Sequence, residues 1–506
     1  MTKGKILLLS PRRETLDLSR DIDKLGLLYI AAVLRKNDFT VKIIDGEQEK
    51  ETWFQLKEKL RSFSPDIVGI TCTTPYRFEG FETAKLVKEV LPQAVVVMGG
   101  VHVSKDAENT IKDIESVDII VIGEGEYSML EVCQNVIEKK DLIDVKGIIY
   151  RNNGKPIRNA PRPFIEDINT LPFPARDLLS KYQRSPIKQF YKIPHATKGM
   201  IEMPTTSILT SRGCPYDCIF CSSTRFWGRN WRPRTPENVV DELENLNKEF
   251  GIRYFTFSDD SFNINKQRVF DICNLIIERG LKIRWNVSVR VNLINKEMIK
   301  KMKDAGCYSI HFGVESGNQR VIDKVIGKGI TKEEVKKVAR WCNELEVLWR
   351  ANFMISHPTE TLEEMEETIE YIRELESMGG NIILGITQIT PGTRIEIIAK
   401  EIGCLQKNFS WTKKQPLRYT DPLRKDYTPF FVDKVSWEGV LGVFYNWSRT
   451  QNYRPPSYYL RYLVRLPTRI KNFKDAKQIY FTFSSLLKVA LSDKLKRLFK
   501  RKKKAV

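Results

Sequence analysis

From Lys5 to Leu130 the chain repeats one unit, and that repetition constrains its fold more than any other feature. Short, continuously apolar, β-branched runs recur at Ile6–Ser10, Val41–Asp45, Asp66–Thr71, Ala94–Gly100 and Asp118–Gly123. Between them lie stretches with apolar residues at three- and four-residue spacing, such as Leu27-Leu28-Ile30-Ala31-Leu34. A strand apolar on both faces must be covered on both faces. Helical crossovers between parallel strands provide that cover.

Five such units predict an α/β, doubly wound parallel-sheet domain of the flavodoxin-like type over residues 1–144. Its ligands belong beyond the carboxyl ends of the strands. Those ends carry small and polar residues: Ser10-Pro11-Arg12, Thr71-Cys72-Thr73-Thr74, Gly99-Gly100-Val101-His102 and Gly123-Glu124-Gly125-Glu126. A glycine pair at a strand end either makes a turn or lets backbone approach a bulky ligand. Four such loops on one edge favour the ligand.

The leading segments Leu25-Gly26-Leu27, Gly99-Gly100-x-His102 and Gly-Glu-Gly-Glu resemble the cobalamin-binding domain of B12-binding radical SAM proteins. The resemblance implies cofactor contacts from Ser10, Thr71, Thr74, Gly99, Gly100, His102, Gly123, Glu124, Gly125 and Glu126. It departs at one point. No histidine precedes His102, so the usual loop after the first strand supplies no His to ligate cobalt from below. Cobalamin without a His lower ligand is expected.

Residues 145–204 read as a connector. Asn152-Asn153-Gly154 is a hairpin-turn signal, and two proline-rich segments follow, Ala160–Pro163 and Leu171–Pro174. No chemistry is assigned there.

Nine cysteines in a chain without an export signal point to metal or catalytic use rather than a disulfide framework. Cys72, Cys133, Cys273, Cys307, Cys342 and Cys404 are scattered singly among apolar residues and read as core. The other three stand in Cys214-Pro215-Tyr216-Asp217-Cys218-Ile219-Phe220-Cys221. Three thiolates spaced C-x3-C-x2-C suit three irons of a [4Fe–4S] cube and leave the fourth open. A structural zinc site normally completes its tetrahedron with a fourth Cys or His, and none is near in sequence.

The spacing, with Phe220 before the last cysteine, resembles the radical SAM signature. The resemblance implies that S-adenosylmethionine (SAM) binds the open iron and is cleaved to a radical on one-electron reduction, so the cofactor carries the hard chemistry. An electron donor such as flavodoxin or ferredoxin is implied with it. Strand-like runs at Tyr254–Asp259, Ile283–Arg290, Ser309–Glu315, Ala351–Ser356 and Ile382–Ile389 follow. With the strand before the cysteine loop they make a partial (β/α)6 radical SAM barrel over 205–402, with its site at the strand ends. By resemblance, Ser258-Asp259-Asp260 stands where Gly-Gly-Glu usually holds the SAM ammonium. Ser288 lies beside Arg290, which would pair with the SAM carboxylate. Glu315, followed by Ser316, would lie near the ribose or methionine end. Phe353-Met354-Ile355-Ser356-His357-Pro358 departs from the usual Gly-Leu-Pro, and His357 reads either as substrate-facing or as a solvated or capping residue.

A chain of 506 residues exceeds one ordinary core. Its 42% hydrophobic and 29% charged content excludes wholesale disorder. No uninterrupted apolar run reaches a membrane span, and the start lacks a signal-peptide core, so a cytoplasmic location is expected. Of the net charge of +20, +14 falls after Gln451, where 16 Lys/Arg face 2 Asp/Glu. Residues 403–506 therefore form an aromatic, basic and mostly helical region. Leu487, Leu491, Leu495 and Leu498 make one helical stripe before Arg501-Lys502-Lys503-Lys504. Such a helix fits peripheral contact with an anionic membrane on the inner face of the cell membrane, an RNA contact, or simple solvation.

Three functions follow from the resemblance. The leading one is a methyltransferase acting on an unactivated carbon of a lipid or other hydrophobic substrate, with cobalamin as methyl carrier. The second is radical ring closure or oxidation without net methyl transfer. The third is RNA modification; against it, no separate RNA-binding domain is visible and the extra cysteine triplet of methylthiotransferases is missing, so nucleic acid is not the expected partner.

Overall fold

The computed structural model describes residues 3–12, 23–46, 49, 52–179, 190–195, 199–415, 417–420 and 428–450. The leucine stripe and polybasic end expected after residue 484 lie outside the described residues.

Strands β1 (Lys5–Ser10), β2 (Thr40–Asp45), β3 (Ile67–Thr71), β4 (Val95–Gly99) and β5 (Ile119–Val121) pair in parallel in the order β2-β1-β3-β4-β5. Alternate residues of each strand point to opposite faces. Ile6, Leu8, Val97 and Ile119 enter one core with Leu28, Ala31 and Val132 of the helices Leu25–Lys36 and Glu126–Ile137. Leu7, Leu9, Val68, Val96 and Ile120 enter the other with Leu60, Phe81 and Ile111. That division explains the continuous apolar runs.

The sheet does not end at residue 144. β6 (Ile148–Asn152) and β7 (Lys155–Arg158) form the expected hairpin, turned by Asn153 and Gly154 at positive φ. β6 pairs antiparallel with β5, so the hairpin extends the first sheet instead of serving as connector. Ile148, Ile149 and Tyr150 are buried, which gives it reason to stay there.

The second sheet also has seven strands. β8 (Phe190–His195) is antiparallel to β9 (Gly199–Ile208). The short strands β10 (Ser211–Arg212) and β11 (Arg232–Pro233) form a separate ladder flanking the cysteine loop. β9, β12 (Tyr254–Phe257), β13 (Arg284–Ser288), β14 (Cys307–Glu315), β15 (Leu348–Ile355) and β16 (Asn381–Ile386) run parallel in chain order. These are the six strands of the partial barrel, with helices between them. Their starts are written locally: Thr331 with Glu334 and Thr361 with Glu364 form capping boxes, which satisfy otherwise orphaned amide donors.

Past the barrel, the chain returns to the first domain. Arg77 Nε donates to the Trp411 carbonyl at 2.9 Å, and Thr412 Oγ1 donates to Asp113 at 2.5 Å. The helix Trp437–Thr450 packs against the helix Leu362–Ser377 and β16. Trp437 stacks on Phe430 with ring centroids 5.6 Å apart. The described aromatic residues of 403–450 are thus largely core. No helix among the described residues is long and apolar enough to cross a membrane.

Candidate functional site

The carboxyl ends of β3, β4 and β5 face the cysteine-loop side of the barrel across a cavity of about 410 Å³. Thr71, Gly99, Gly100, Gly123, Glu124, Gly125 and Glu126 border it from the first domain, and Ser258, Asp260, Arg212, Ser223, Phe226 and Trp227 from the second. Its inner end, at Leu8, Leu27, Gly69, Val97 and Met129, is an apolar slot entering the first domain.

The glycines shape it. A Cβ at Gly26 or Gly123 would meet no atom within 4 Å, so their missing side chains leave open space at the cavity wall. Gly123 also sits at φ +80°, where a side chain is strained. At Gly100, with φ +104°, a Cβ would lie 2.6 Å from the Cys72 carbonyl oxygen. An apolar slot behind a broad, glycine-walled mouth fits a large flat macrocycle such as the corrin of cobalamin, which these residues would hold.

Three of the expected cobalamin contacts lie elsewhere. Ser10 closes β1 but faces a small separate recess with Arg12, Gly46 and Trp53. Thr74 Oγ1 and His102 Nδ1 lie 3.1 Å apart, both buried. His102 is wedged beside Phe81 and Trp411, ring centroids 6.5 and 5.8 Å away, with no hydrogen-bond partner for Nε2 among the described residues. Burial, then the nearby Arg77, pushes its pKa well below the usual histidine value. It packs the chain returning from the barrel and does not border the cavity.

Glu124 and Glu126 border the cavity, but their carboxylates have another task. Arg212 donates to Glu124 Oε1 at 2.8 Å and to Glu126 Oε1 at 2.5 Å. Arg232 donates to both oxygens of Glu124, at 2.8 and 2.9 Å. The sequence reading missed both arginines because they follow the glutamates by 86 residues or more.

On the barrel side, Cys214, Cys218 and Cys221 are free thiols on one tight, partly exposed loop, closed by a bond from Cys221 N to Cys218 O at 3.0 Å. Burial raises the pKa of Cys214, and the Tyr216 amide opposes it; burial raises Cys218 too, opposed by Lys328 and Arg290. An amide donor and two cations facing thiols suit bound thiolates. No three His, Cys, Asp or Glu side chains among the described residues gather about one point as a mononuclear ion requires. A cubane spreads its thiolates over separate iron corners, so this donor set fits the cluster.

Arg290 lies over the Tyr216 ring, 3.3 Å from its centroid, and donates to the Lys328 carbonyl. Lys328 Nζ pairs with Glu315 Oε1 at 2.8 Å. Glu315 holds φ +74°, and a Cβ at Gly313 would fall 2.0 Å from Glu315 Oε1, so Gly313 makes room for this pair. Arg290 and Glu315 therefore stand beside the cysteine loop. Ser288, half-buried at the end of β13, is registered with His311.

Other barrel residues depart from expectation. Asp259 is buried and accepts from Thr210 Oγ1 at 2.9 Å and Ser211 Oγ at 2.5 Å, so it braces the chain entering the cysteine loop. Burial raises its pKa, with Arg268 and those bonds opposing. Asp260 instead opens to the cavity; burial raises its pKa against a bond from Ser223. Ser316 is fully buried, its Oγ 3.2 Å from Thr368 Oγ1, and turns the chain after β14. His357 is neither solvated nor capping. It is 1% exposed, 3.3 Å from the Glu315 carbonyl through Nε2, and its ring centroid lies 6.4 Å from that of Phe220.

Comparison with known proteins agrees with both halves of this site. Residues 16–133 match the B12 binding domain and residues 208–372 the Radical SAM superfamily. An uncharacterized methyltransferase of Pyrococcus horikoshii is 36% identical over 373 residues, covering 73% of this chain and 77% of that protein. The anaerobic magnesium-protoporphyrin IX monomethyl ester cyclase of Cereibacter sphaeroides is 31% identical over 354 residues, covering 67% of this chain and 54% of the cyclase. Among solved structures, the radical S-adenosylmethionine methyltransferase TsrM of Kitasatospora setae, with cobalamin and a [4Fe–4S] cluster bound, shares the fold with a TM-score of 0.68. Its identity is 19%, and 90% of each chain is covered. With glycine-walled cavity and cysteine loop on facing domains, the chain belongs to the B12-binding radical SAM superfamily, as an enzyme that works with a [4Fe–4S] cluster, SAM and cobalamin.

Proposed function

We propose that this enzyme methylates an unactivated carbon of a hydrophobic substrate. The observation that carries the reading is the shared cavity: loops of the cobalamin-binding domain and Ser258, Asp260 and the flank of the cysteine loop line one chamber. A substrate carbon held in that cavity would lie between the cysteine-loop side and the cobalamin-side loops. When bound, the cluster and SAM supply hydrogen abstraction, and cobalamin supplies the methyl group.

The chain's own residues hold the parts in place. Lys328 and Arg290 oppose the penalty of burying the Cys218 thiolate. Asp259 fixes Thr210 and Ser211, and with them the entry to the cysteine loop. Phe226 and Trp227 give the cavity an apolar wall that limits water near a reactive carbon.

A hydrophobic substrate is supported by a relative named for a magnesium-protoporphyrin ester and by the basic, leucine-striped end of the sequence. The same tail supports contact with an anionic membrane surface. Flotation of the full chain, but not of a chain ending at Ser484, with anionic vesicles is the expected result; equal flotation of both refutes that contact. An electron carrier such as flavodoxin or ferredoxin completes the proposed partners.

The test of function is anaerobic reconstitution with iron, sulfide, cobalamin, reductant, SAM and a membrane-lipid extract. Near-equal, extract-dependent yields of 5′-deoxyadenosine and S-adenosylhomocysteine are expected. Deoxyadenosine rising alone overturns methyl transfer and favours ring closure or oxidation, as the cyclase relative's name suggests for that protein.

A further inference from the structure

We infer that Arg212 is a strut that sets the separation between the cysteine loop and the cobalamin-side wall of the cavity. It is therefore a positioning residue for coupling radical formation to methyl delivery. The inference rests on the proposed function for its coupling claim and on geometry alone for its distance claim.

Arg212 ends β10, two residues before Cys214. Among the described residues its guanidinium is the one group that bonds both Glu124 and Glu126, the acids flanking Gly125 on the cavity wall. The side chain is 2% exposed and is sandwiched between the rings of Tyr29 and Trp227, at 5.2 and 4.8 Å from their centroids. Both rings border the cavity. The strut is braced at each end. Arg232, paired across the ladder with Arg212, clamps Glu124 from the other side, and the Ile165 amide donates to Glu124 Oε2 at 2.7 Å. After Arg212 the chain has no slack. Gly213 stands at φ +85° with a hypothetical Cβ 2.3 Å from the Asn230 carbonyl oxygen.

A short rigid path therefore runs from the cavity wall through Arg212 to the first cysteine. A fixed planar fork can serve two carboxylates at once, whereas an ammonium is a point charge. Mere adhesion of the domains does not require this residue, because the junction has other ties. Arg35 of the first domain pairs with Asp177 of the connector at 2.5 Å, Arg176 of the connector pairs with Glu242 of the barrel at 2.6 Å, and Arg77 and Asp113 bond the returning chain at Trp411 and Thr412.

The experiment compares wild type, Arg212→Lys, Glu126→Gln and, as a control at the far end of the junction, Arg35→Ala. All are reconstituted with cluster and cobalamin. The distance readout is the spin-relaxation enhancement of the cob(II)alamin EPR signal by the reduced cluster, measured without substrate. The coupling readout is the ratio of 5′-deoxyadenosine to S-adenosylhomocysteine. A misplacement of about 1 Å costs on the order of 10²-fold in rate. Arg212→Lys is therefore expected to weaken the relaxation enhancement and raise the ratio on the order of ten-fold or more. Glu126→Gln, which keeps an acceptor oxygen and the fold should Arg212→Lys not assemble, is expected to show both effects to a smaller degree. Arg35→Ala is expected to match wild type. Unchanged relaxation in whichever of the two variants assembles overturns the strut. Wild type that yields deoxyadenosine without S-adenosylhomocysteine overturns the methyl-transfer reading instead, and the relaxation comparison still decides the strut.

Discussion

Glu242→Ala should be among the costliest single substitutions in this protein. Glu242 lies on the helix Pro236–Phe250 and accepts from Arg176 Nη1 at 2.6 Å and from Arg234 Nη1, all three side chains being almost fully buried. Arg176 comes from the connector, and Thr206, to which it donates at 3.2 Å, donates in turn to Asp23 of the first domain. Asp23 Oδ2 also lies 4.0 Å from Arg176 Nε. Deleting one partner of a buried pair costs about 3–5 kcal/mol. Both guanidiniums keep carbonyl acceptors, Ser207 at 2.6 Å and Leu209 at 3.1 Å, which puts the loss near the lower end, about 3 kcal/mol. At about 2–4 °C per kcal/mol for a domain-sized unit, the midpoint should fall on the order of 10 °C. Calorimetry of the cofactor-free protein near neutral pH measures this. Glu242→Gln, which keeps the volume and one acceptor, should lose roughly half as much. Burial alone would raise the Glu242 pKa, but Arg234 and Arg176 outweigh it and hold it below the ordinary value. A depressed carboxylate contributes stability above its unfolded pKa and loses it as pH falls through the folded one. The gap between wild type and Glu242→Gln should therefore close in acid. A loss under about 1 kcal/mol for Glu242→Ala would refute the reasoning, because removing the carboxylate that two buried guanidiniums share should cost more than that.

Three further outcomes are expected. Cys214→Ala should abolish SAM cleavage and leave cobalamin retention intact; persistent 5′-deoxyadenosine formation would sink the cluster assignment. His102→Phe should leave cobalamin affinity unchanged while costing about 1–3 kcal/mol of stability, since buried Thr74 Oγ1 loses its bond to Nδ1; a tenfold weaker cobalamin titration would mean that His102 reaches the cofactor. Burial pushes Glu360 up to about 8. A raised carboxylate contributes stability below its unfolded pKa and loses it through the folded one, so wild type should lose on the order of 1 kcal/mol per pH unit relative to Glu360→Gln between about pH 5 and 8. Parallel pH profiles for the two would contradict that.

The parallel sheets were legible in the sequence because a strand covered on both faces has no polar positions to disguise it. All five runs in the first domain, and the five after the cysteine loop, coincide with strands. The cysteine loop was legible because ligand spacing is local. What the sequence hid was the partner of each charge. Gly-Glu-Gly-Glu looks like a ligand loop, and its backbone does border the cavity, yet its carboxylates serve Arg212 and Arg232. Asp259 looks like a ligand at a strand end, but hydroxyls of Thr210 and Ser211 occupy it. Conversely, the hairpin at Asn153-Gly154 was read correctly as a hairpin and assigned to a connector only because sheet membership depends on β5, almost 30 residues earlier.

These cases share a cause. A motif states which groups stand together along the chain, whereas a buried charge is decided by what stands opposite it in space, since leaving it unpaired costs several kcal/mol. His102 shows the same logic with the sign reversed. A histidine after a glycine pair at a strand end has the position of a cofactor contact, yet Trp411, over 300 residues later, covers it and leaves it neutral. The chain returning from the barrel thus determines what the first domain offers to a cofactor. A radical enzyme built from two domains needs that dependence. If each domain's strand-end residues were complete alone, the two halves of the cavity would share fewer of the buried contacts that keep them in register.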